Sequence, residues 1–348
     1  MSKRMITRGG TVLRAFRRSK SVAGFTLIEL MVAMLLGLIV IGGVVSVFLA
    51  NQRSYRTNQA LSDVQDSSRI AFEMMARDIR DAGLTGCSNG GRVANVLNNA
   101  PGGTATAKWW ANWNNVVNGY DGATGDPATG TAFGTAATQR VSGTDSLMLM
   151  GGEGPGVSVK VNTEPAATFT LNEASSTLQT GDVIIVCDPD HATLVQITNY
   201  TGGTVTHAAS GTPGNCTTDL NYPTVCSSSS SYVFATNAQI TKLGAIDWYI
   251  GINPIGGRSL YRTDLVTTTA VPTPTAQEMV RDVTGMSIAY HQSGNTTFLA
   301  AGSVTNWALV DAVQVNLSLE SVDKRAGTNV KPIKRSFTAT TTVRNRVI

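Results

Sequence analysis

Histidine is scarce: His191, His207 and His291 are the three in 348 residues, and none stands beside a motif Ser or Cys. There is no GxSxG, no phosphate-binding P-loop and no HExxH, so serine-hydrolase, nucleotide-phosphate and zinc-peptidase chemistries lack the spacing each requires. With no catalytic constellation the chain is expected not to be an enzyme, and no cofactor is implied. Charged residues are also few, 14% against 42% hydrophobic. That ratio excludes a disordered chain and leaves one or two domains with a sizeable core. No internal repeat stands out. CxxC spacing is absent and no His pair accompanies the cysteines, which removes the usual basis for a zinc site. Acidic residues are missing altogether from residues 1–24, where Lys3, Arg4, Arg8, Arg14, Arg17, Arg18 and Lys20 make seven positive charges.

The longest apolar run begins directly after that basic stretch. Residues 25–50, FTLIELMVAMLLGLIVIGGVVSVFLA, contain one ionisable side chain, Glu29. As a helix they extend about 39 Å, more than the roughly 30 Å hydrocarbon core of a bilayer. The positive-inside rule keeps the basic end in the cytoplasm and places the rest on the other side. Glu29 there costs on the order of 2–3 kcal/mol if unpaired. No small-x-small cleavage site occurs in SVFLANQRS, whereas a cut before the run, between Gly24 and Phe25, creates a free amine on Phe25. That amine can pair with a carboxylate, and between neighbouring subunits the pair neutralises two buried charges and sets their register.

These residues resemble a known family. Gly24-Phe25-Thr26-Leu27-Ile28-Glu29-Leu30, after a basic leader and before an apolar helix, is similar at every position to the class III signal of type IV pilins and type II secretion pseudopilins. The resemblance implies that a membrane prepilin peptidase cuts after Gly24 and methylates the amine of Phe25. It also implies that Glu29 guides the subunit into the growing filament. Loss of residues 1–24 changes the charge balance from +4 to 20 Lys and Arg against 23 Asp and Glu, about −3. Nucleic-acid binding is therefore not expected.

From residue 51 the chain turns polar but keeps helical spacing, with Leu61, Val64, Phe72, Met75 and Ile79 as an apolar stripe and Gly83 as the stop. The whole helix, residues 25–82, is roughly 87 Å long at 1.5 Å per residue. Gly37, Gly42 and Gly43 weaken its apolar half, or let helices pack closely. Arg77, Asp78, Arg80 and Asp81 read as a solvated face with intrahelical pairs, or as subunit salt bridges.

Beyond Gly83 the composition is β-type. Strands are expected at 146–150, 157–161, 182–187, 194–198, 232–236, 246–252, 259–262, 286–291, 310–319 and 335–343. The cleanly alternating 310–319 segment is expected to cover the helix stripe. Residues 89–139 read as a Gly/Asn/Trp-rich insertion, and 227–231 and 267–277 as loops. Cys87, Cys187, Cys216 and Cys226, an even set outside the cytoplasm, are expected to form two disulfides. Three pairings are possible; the favoured one closes a local loop between Cys216 and Cys226 and leaves Cys87 with Cys187. Asp188 and Asp190 in CDPDHAT, and Asp121 and Asp126 in GYDGATGD, fit turns better than a cation loop, so no metal is expected. Trp109, Trp110 and Trp113 need a cover: either a local core or a partner.

The expected fold is α+β, a long N-terminal helix, transmembrane in its first half and amphipathic in residues 51–83, packed on a β-rich head of residues 84–348. Several later segments, RDIRDAGLTGC, GDVIIVCD, SLYRTDL and the closing VDAVQVNLSLES and RSFTATTTVRNRVI, resemble the PilW-type minor pilins. That likeness implies initiation of pilus assembly within a minor-pilin complex at or near the tip, with a type II secretion pseudopilin as the alternative. Implied partners are the prepilin peptidase, other minor pilins, the major pilin and a tip adhesin. The implied location is the inner membrane, head in the periplasm, and the pilus surface after assembly.

Overall fold

A computed structural model describes residues 24–87, 91–130, 133–173, 176–224, 226–227 and 231–346. Of the expected leader, residues 1–24, only Gly24 lies among them. Two compact units divide the chain, Met1–Tyr55 and Arg56–Ile348. A single helix, α1 (Leu27–Asp81), starts in the first and ends in the second. Gly37, Gly42 and Gly43 do not interrupt it, and the side chain of Ser46 donates to the Gly42 carbonyl at 2.8 Å.

In the second unit α1 buries Ala60, Val64, Ser68, Ala71, Met75 and Ile79, spaced by four, four, three, four and four residues. This is one face of a 3.6-residue helix. Leu61 and Phe72 of the expected stripe are only partly buried. Small residues take their place because they let the helix approach its neighbours closely. Leu61 and Ala60 pack with Ala326 and Ile333, where Thr57 also donates to the Ala326 carbonyl at 2.6 Å.

The strands in chain order are β1 (Val93–Asn95), β2 (Val117–Tyr120), β3 (Ser146–Thr163), β4 (Thr168–Leu171), β5 (Val183–Cys187), β6 (Ala192–Gln196), β7 (Asn199–Thr201) and β8 (Thr204–Thr206). They continue with β9 (Gln239–Ile252), β10 (Arg258–Thr268), β11 (Val271–Arg281), β12 (Val283–Gln292), β13 (Phe298–Ala300), β14 (Val310–Glu320) and β15 (Lys334–Thr342). The spine of the larger sheet is the antiparallel pair β3 and β9. Each is long enough to take different partners along one edge: β9 pairs with β5 near its start and β10 near its end, and β3 pairs with β2 and then β4. The sheet thereby serves two cores. One contains Val64, Ala71, Met75 and Ile79 of α1 together with Trp248, Tyr290, Val313, Val315, Leu317 and Leu319. The other gathers Val159, Phe169, Ile184, Val186, Val195 and Ile240. The apolar run of β5 is buried on both faces because Ile184 and Val186 enter one core and Val183 and Ile185 the other.

The smaller sheet, in the order β13-β12-β14-β15, puts Val313, Val315 and Leu317 in the α1 core, as the alternation over 310–319 predicts. Its opposite face is polar: the side chains of Gln314 and Asn316 donate to Thr340 and Thr338, and Ser318 bonds to Ser336.

The segment directly after α1 joins the spine by backbone. Gly83, at a φ of +78°, donates its N–H to the Met150 carbonyl at 2.7 Å, and Gly152 donates to Leu84 at 2.7 Å. Any Cβ at Gly151 lies 2.4 Å from the Asp81 carbonyl oxygen, so only glycine admits this contact. The strands expected at 146–150 and 157–161 are consequently one strand, running through the glycines between them.

Three other expectations change. Residues 232–236 form no strand; Tyr232 and Phe234 alternate because their rings pack edge-on near His191 and each other. Residues 267–277 are not a loop but the tip and outer arm of the β10–β11 hairpin. Thr269 and Ala270 turn it at φ of 48° and 63°, and Pro272 and Pro274 are tolerated because β11 is an edge strand. The 89–139 stretch supplies β1 and β2 to the larger sheet.

Replacing Met75, 1% exposed, by Ala is expected to lower the unfolding free energy of the full chain by about 2–5 kcal/mol. Met74→Ala, at a half-buried neighbour, should cost less. Urea denaturation with tryptophan fluorescence as the readout measures both, and equal costs would contradict a close-packed stripe.

Candidate functional site

The N-terminal motif has a defined local geometry. The Thr26 hydroxyl accepts the backbone N–H of Glu29 at 3.3 Å, and the Glu29 carboxylate accepts from the Thr26 N–H at 3.4 Å and from the Thr26 hydroxyl at 3.3 Å. This is a capping box, with the carboxylate also lying at the positive end of the helix dipole. The Thr-x-x-Glu spacing before an apolar run carries this signal in the sequence. Glu29 thus has a partner within its own chain before any second subunit arrives. Through Ala50 the apolar side chains around it are exposed, among them Leu27, Ile28, Leu35, Ile39, Val44 and Phe48. The helix is long and apolar enough to cross a membrane.

Residues 19–45 match the family model of the prokaryotic N-terminal methylation motif. The motif indicates a type IV pilin or pseudopilin. No curated protein and no solved structure matches the chain. The matched span takes in Gly24, Phe25 and Glu29. It implies processing by a prepilin peptidase and assembly with other pilins, and it suggests a structural, non-enzymatic protein. With the apolar helix it fits a membrane-anchored pilin.

The pilin motif lies far in sequence from the other candidate residues, which the head distributes among separate places. Cys87 is joined to Cys187 and Cys216 to Cys226. The first disulfide fastens the segment after α1 to the end of β5, and the second closes a loop of the second half. Trp110 is 3% exposed and sits in the core, whereas Trp109 and Trp113 are half-buried against it. Asp188 builds a turn: its Oδ1 accepts from the N–H groups of Asp190 and His191, and its Oδ2 accepts from the Tyr232 hydroxyl at 2.7 Å. Asp121 likewise accepts from Ala123 and Thr124. His291 has Asp311 Oδ1 at 2.6 Å from Nδ1 and the Asn295 carbonyl at 2.9 Å from Nε2, so both ring nitrogens are engaged. Among the described residues no group of three or more His, Cys, Asp or Glu is placed to hold a metal.

Asp78 departs from the solvated face expected of it. It accepts from the indole N–H of Trp248 at 2.9 Å and from Arg262 Nε at 2.8 Å, and Arg262 also pairs with Asp264. One step from Ile79 on the helix, it is carried to the sheet by the same face that buries the stripe. Arg77, Arg80 and Asp81 stay exposed.

A buried polar cluster escapes sequence reasoning entirely, since acidic and basic residues in a Gly-rich stretch read as surface. Arg140, 1% exposed, donates to the carbonyls of Thr124, Asp121 and Thr144 and so holds the 121–144 segment together. Asp126 accepts from the Ala128 N–H and from the Ser146 hydroxyl. Asp247, on the spine strand β9, is fully buried; no donor among the described residues reaches its carboxyl oxygens, and when protonated it hydrogen-bonds to the Asp126 carboxylate. Burial first, and then the neighbouring Asp126 carboxylate, push the Asp247 carboxyl well above the ordinary carboxylate range.

Where the unfolded chain has ionised this residue and the folded chain still holds the proton, rising pH favours unfolding, by about 1.4 kcal/mol per unit of pKa difference. Stability should therefore fall as pH rises from about 4 through the raised value. Asp247→Asn removes the proton and is expected to give a more stable head at neutral pH with a flatter pH profile. Thermal melts of parent and variant from acid to neutral pH check this; parallel profiles would contradict it.

Proposed function

We propose that the chain is a PilW-type minor pilin of the type IV pilus, cleaved after Gly24, methylated on Phe25, and active in starting pilus assembly within a minor-pilin tip complex. The observation that carries the reading is a capped helix start at Thr26 and Glu29, leading into a helix whose apolar side chains, among the described residues, are exposed through Ala50. Such a surface is stable in lipid or against other apolar helices, and a pilin passes from the first to the second. The charge of Glu29 serves the passage: the amine released on Phe25 of one subunit and the Glu29 carboxylate of another neutralise each other in the packed helices. The large head suits a subunit present in few copies, at a filament end, where breadth is not limited by neighbours on every side.

Mass spectrometry of the protein from membranes and from sheared pili is expected to show a methylated Phe25 as the first residue. Glu29→Ala should be processed normally and fail to support surface pili. Glu29→Gln separates two roles, because it keeps an acceptor for the cap and removes the charge. Assembly lost with Gln as with Ala supports charge pairing, and assembly retained with Gln makes the cap sufficient. Deletion that abolishes protein secretion while pili persist would assign the chain to a type II secretion machine instead.

A further inference from the structure

The Trp-rich segment makes a cleft that neither the pilin motif nor the core requires. Two one-turn 3-10 helices, Trp109–Ala111 and Trp113–Asn115, precede β2, whose burial alternates so that Val117 and Gly119 point inward and Asn118 and Tyr120 share the other face. Met148, the cross-strand partner of Asn118, is buried at its floor. Trp109, Asn112 and Asn115 complete a cavity of about 220 Å³. Trp110, the neighbouring indole, points into the core instead, so the segment divides its aromatic rings between packing and the cleft.

The lining is chemically selective. Asn118 donates its amide to the Tyr120 hydroxyl at 2.8 Å, which leaves that hydroxyl's own proton and the Asn118 carbonyl oxygen for another partner. The side-chain oxygen of Asn112 is buried and has no hydrogen-bond partner among the described residues, whereas its backbone carbonyl accepts from the Asn115 N–H. Burial, and then Asp126, push the Tyr120 phenol up to about 12, so it remains a neutral donor at ordinary pH. Among the described residues that line the cleft there is no carboxylate and no histidine, and Lys108 is the sole cation. Carboxamides that both donate and accept, a phenol, and an indole face form a surface for a neutral molecule carrying hydroxyls around an apolar ring face.

We infer that this cleft binds a neutral pyranoside, one sugar ring lying against Trp109 with its hydroxyls bonded to Asn115, Asn118 and Tyr120. The volume admits one ring, and the open rim leaves the glycosidic oxygen free to continue into a longer glycan. The indole face meets the axial C–H groups of the sugar, and the amides replace the water its hydroxyls lose. This inference does not depend on the chain's being a pilin.

The test uses the full chain in a detergent without a sugar headgroup, with methyl β-D-glucopyranoside, methyl β-D-galactopyranoside and N-acetylglucosamine as probes. Saturation-transfer NMR is expected to show contact through one ring face for at least one of them, with a saturable change in tryptophan fluorescence. Trp109→Leu, which keeps apolar volume against the core, should weaken binding by about tenfold or more, as loss of a stacked ring does. Asn115→Ala should weaken it about 2- to 10-fold, the range for one hydrogen bond. Trp113→Phe, outside the cleft, should leave it unchanged. Because Trp109→Leu can disturb folding, the melting temperature of each variant is compared with the parent, and Asn115→Ala decides the matter if only it melts normally. Absence of transfer from all three sugars overturns the inference. So does binding that both cleft variants leave intact, or occupation of the cleft by a proline-containing peptide in preference to every sugar.

Discussion

The head depends on the junction where the last turn of α1 meets β3. An isolated helix end leaves its final carbonyls without partners, and the edge of a sheet leaves N–H groups open. Here the turn after the helix meets the first need, Leu84 donating to the Asp81 carbonyl, and the same segment fills the open edge of β3: Gly83 donates its N–H to the Met150 carbonyl, and Gly152 donates to the Leu84 carbonyl. Asp78 then binds Trp248 and Arg262 from the adjoining strands β9 and β10. Cys87, a few residues on, is bonded to Cys187 at the end of β5. Within one short stretch the chain is therefore fixed to both spine strands and to their neighbours. The order of the remaining strands depends on which edge of β3 or β9 is still open.

That arrangement explains why the buried acids are tolerated. Asp247 sits on β9 between β3 and β10, with ladder bonds on both sides, so its backbone cannot move to bring the carboxyl to water. The surrounding chain supplies Arg140 instead, whose hydrogen bonds go to carbonyls of the 121–144 segment rather than to either carboxylate. A guanidinium used in this way contributes a positive field without a direct ion pair. The cluster orders a segment that has little apolar residue of its own, and its cost is a proton retained on Asp247.

What could be read from the sequence divides by the range of the signal. The N-terminal motif was legible because every element of it lies within a few residues. Strand β14 was legible because Val313, Val315 and Leu317 alternate with Gln314 and Asn316, and one face alone meets the core. Half of the helix stripe was missed because Ala60, Ser68 and Ala71 carry little hydropathy, although their size is what the close packing needs. The β10–β11 turn lacks the Asn-Gly pair that announces a tight hairpin. Its left-handed Thr269 and Ala270 are instead held by tertiary contacts, the Thr267 hydroxyl donating to buried Asp182 at 2.6 Å. The false strand at 232–236 shows the reverse error: alternation records which side chains are buried, and burial against His191 and Phe169 does not require a ladder. Arg140 and Asp247 had no sequence signal, because only the folded sheet makes them neighbours.

The capping box bears on how a single carboxylate serves two stages under the proposed reading. Before cleavage Glu29 faces the positive end of the α1 dipole, and Thr26 holds it there. Cleavage leaves the Thr26 amide in place, so the cap survives, but it adds the ammonium of Phe25 one residue away. The helix start then carries a full positive charge as well as the partial charge of the dipole, and one carboxylate offsets only part of the sum. The surplus is attractive to a second carboxylate, which the next subunit's Glu29 provides. Removing the leader thus turns a helix end that is locally balanced into one that favours a neighbour, without any change in the apolar surface that neighbour must cover.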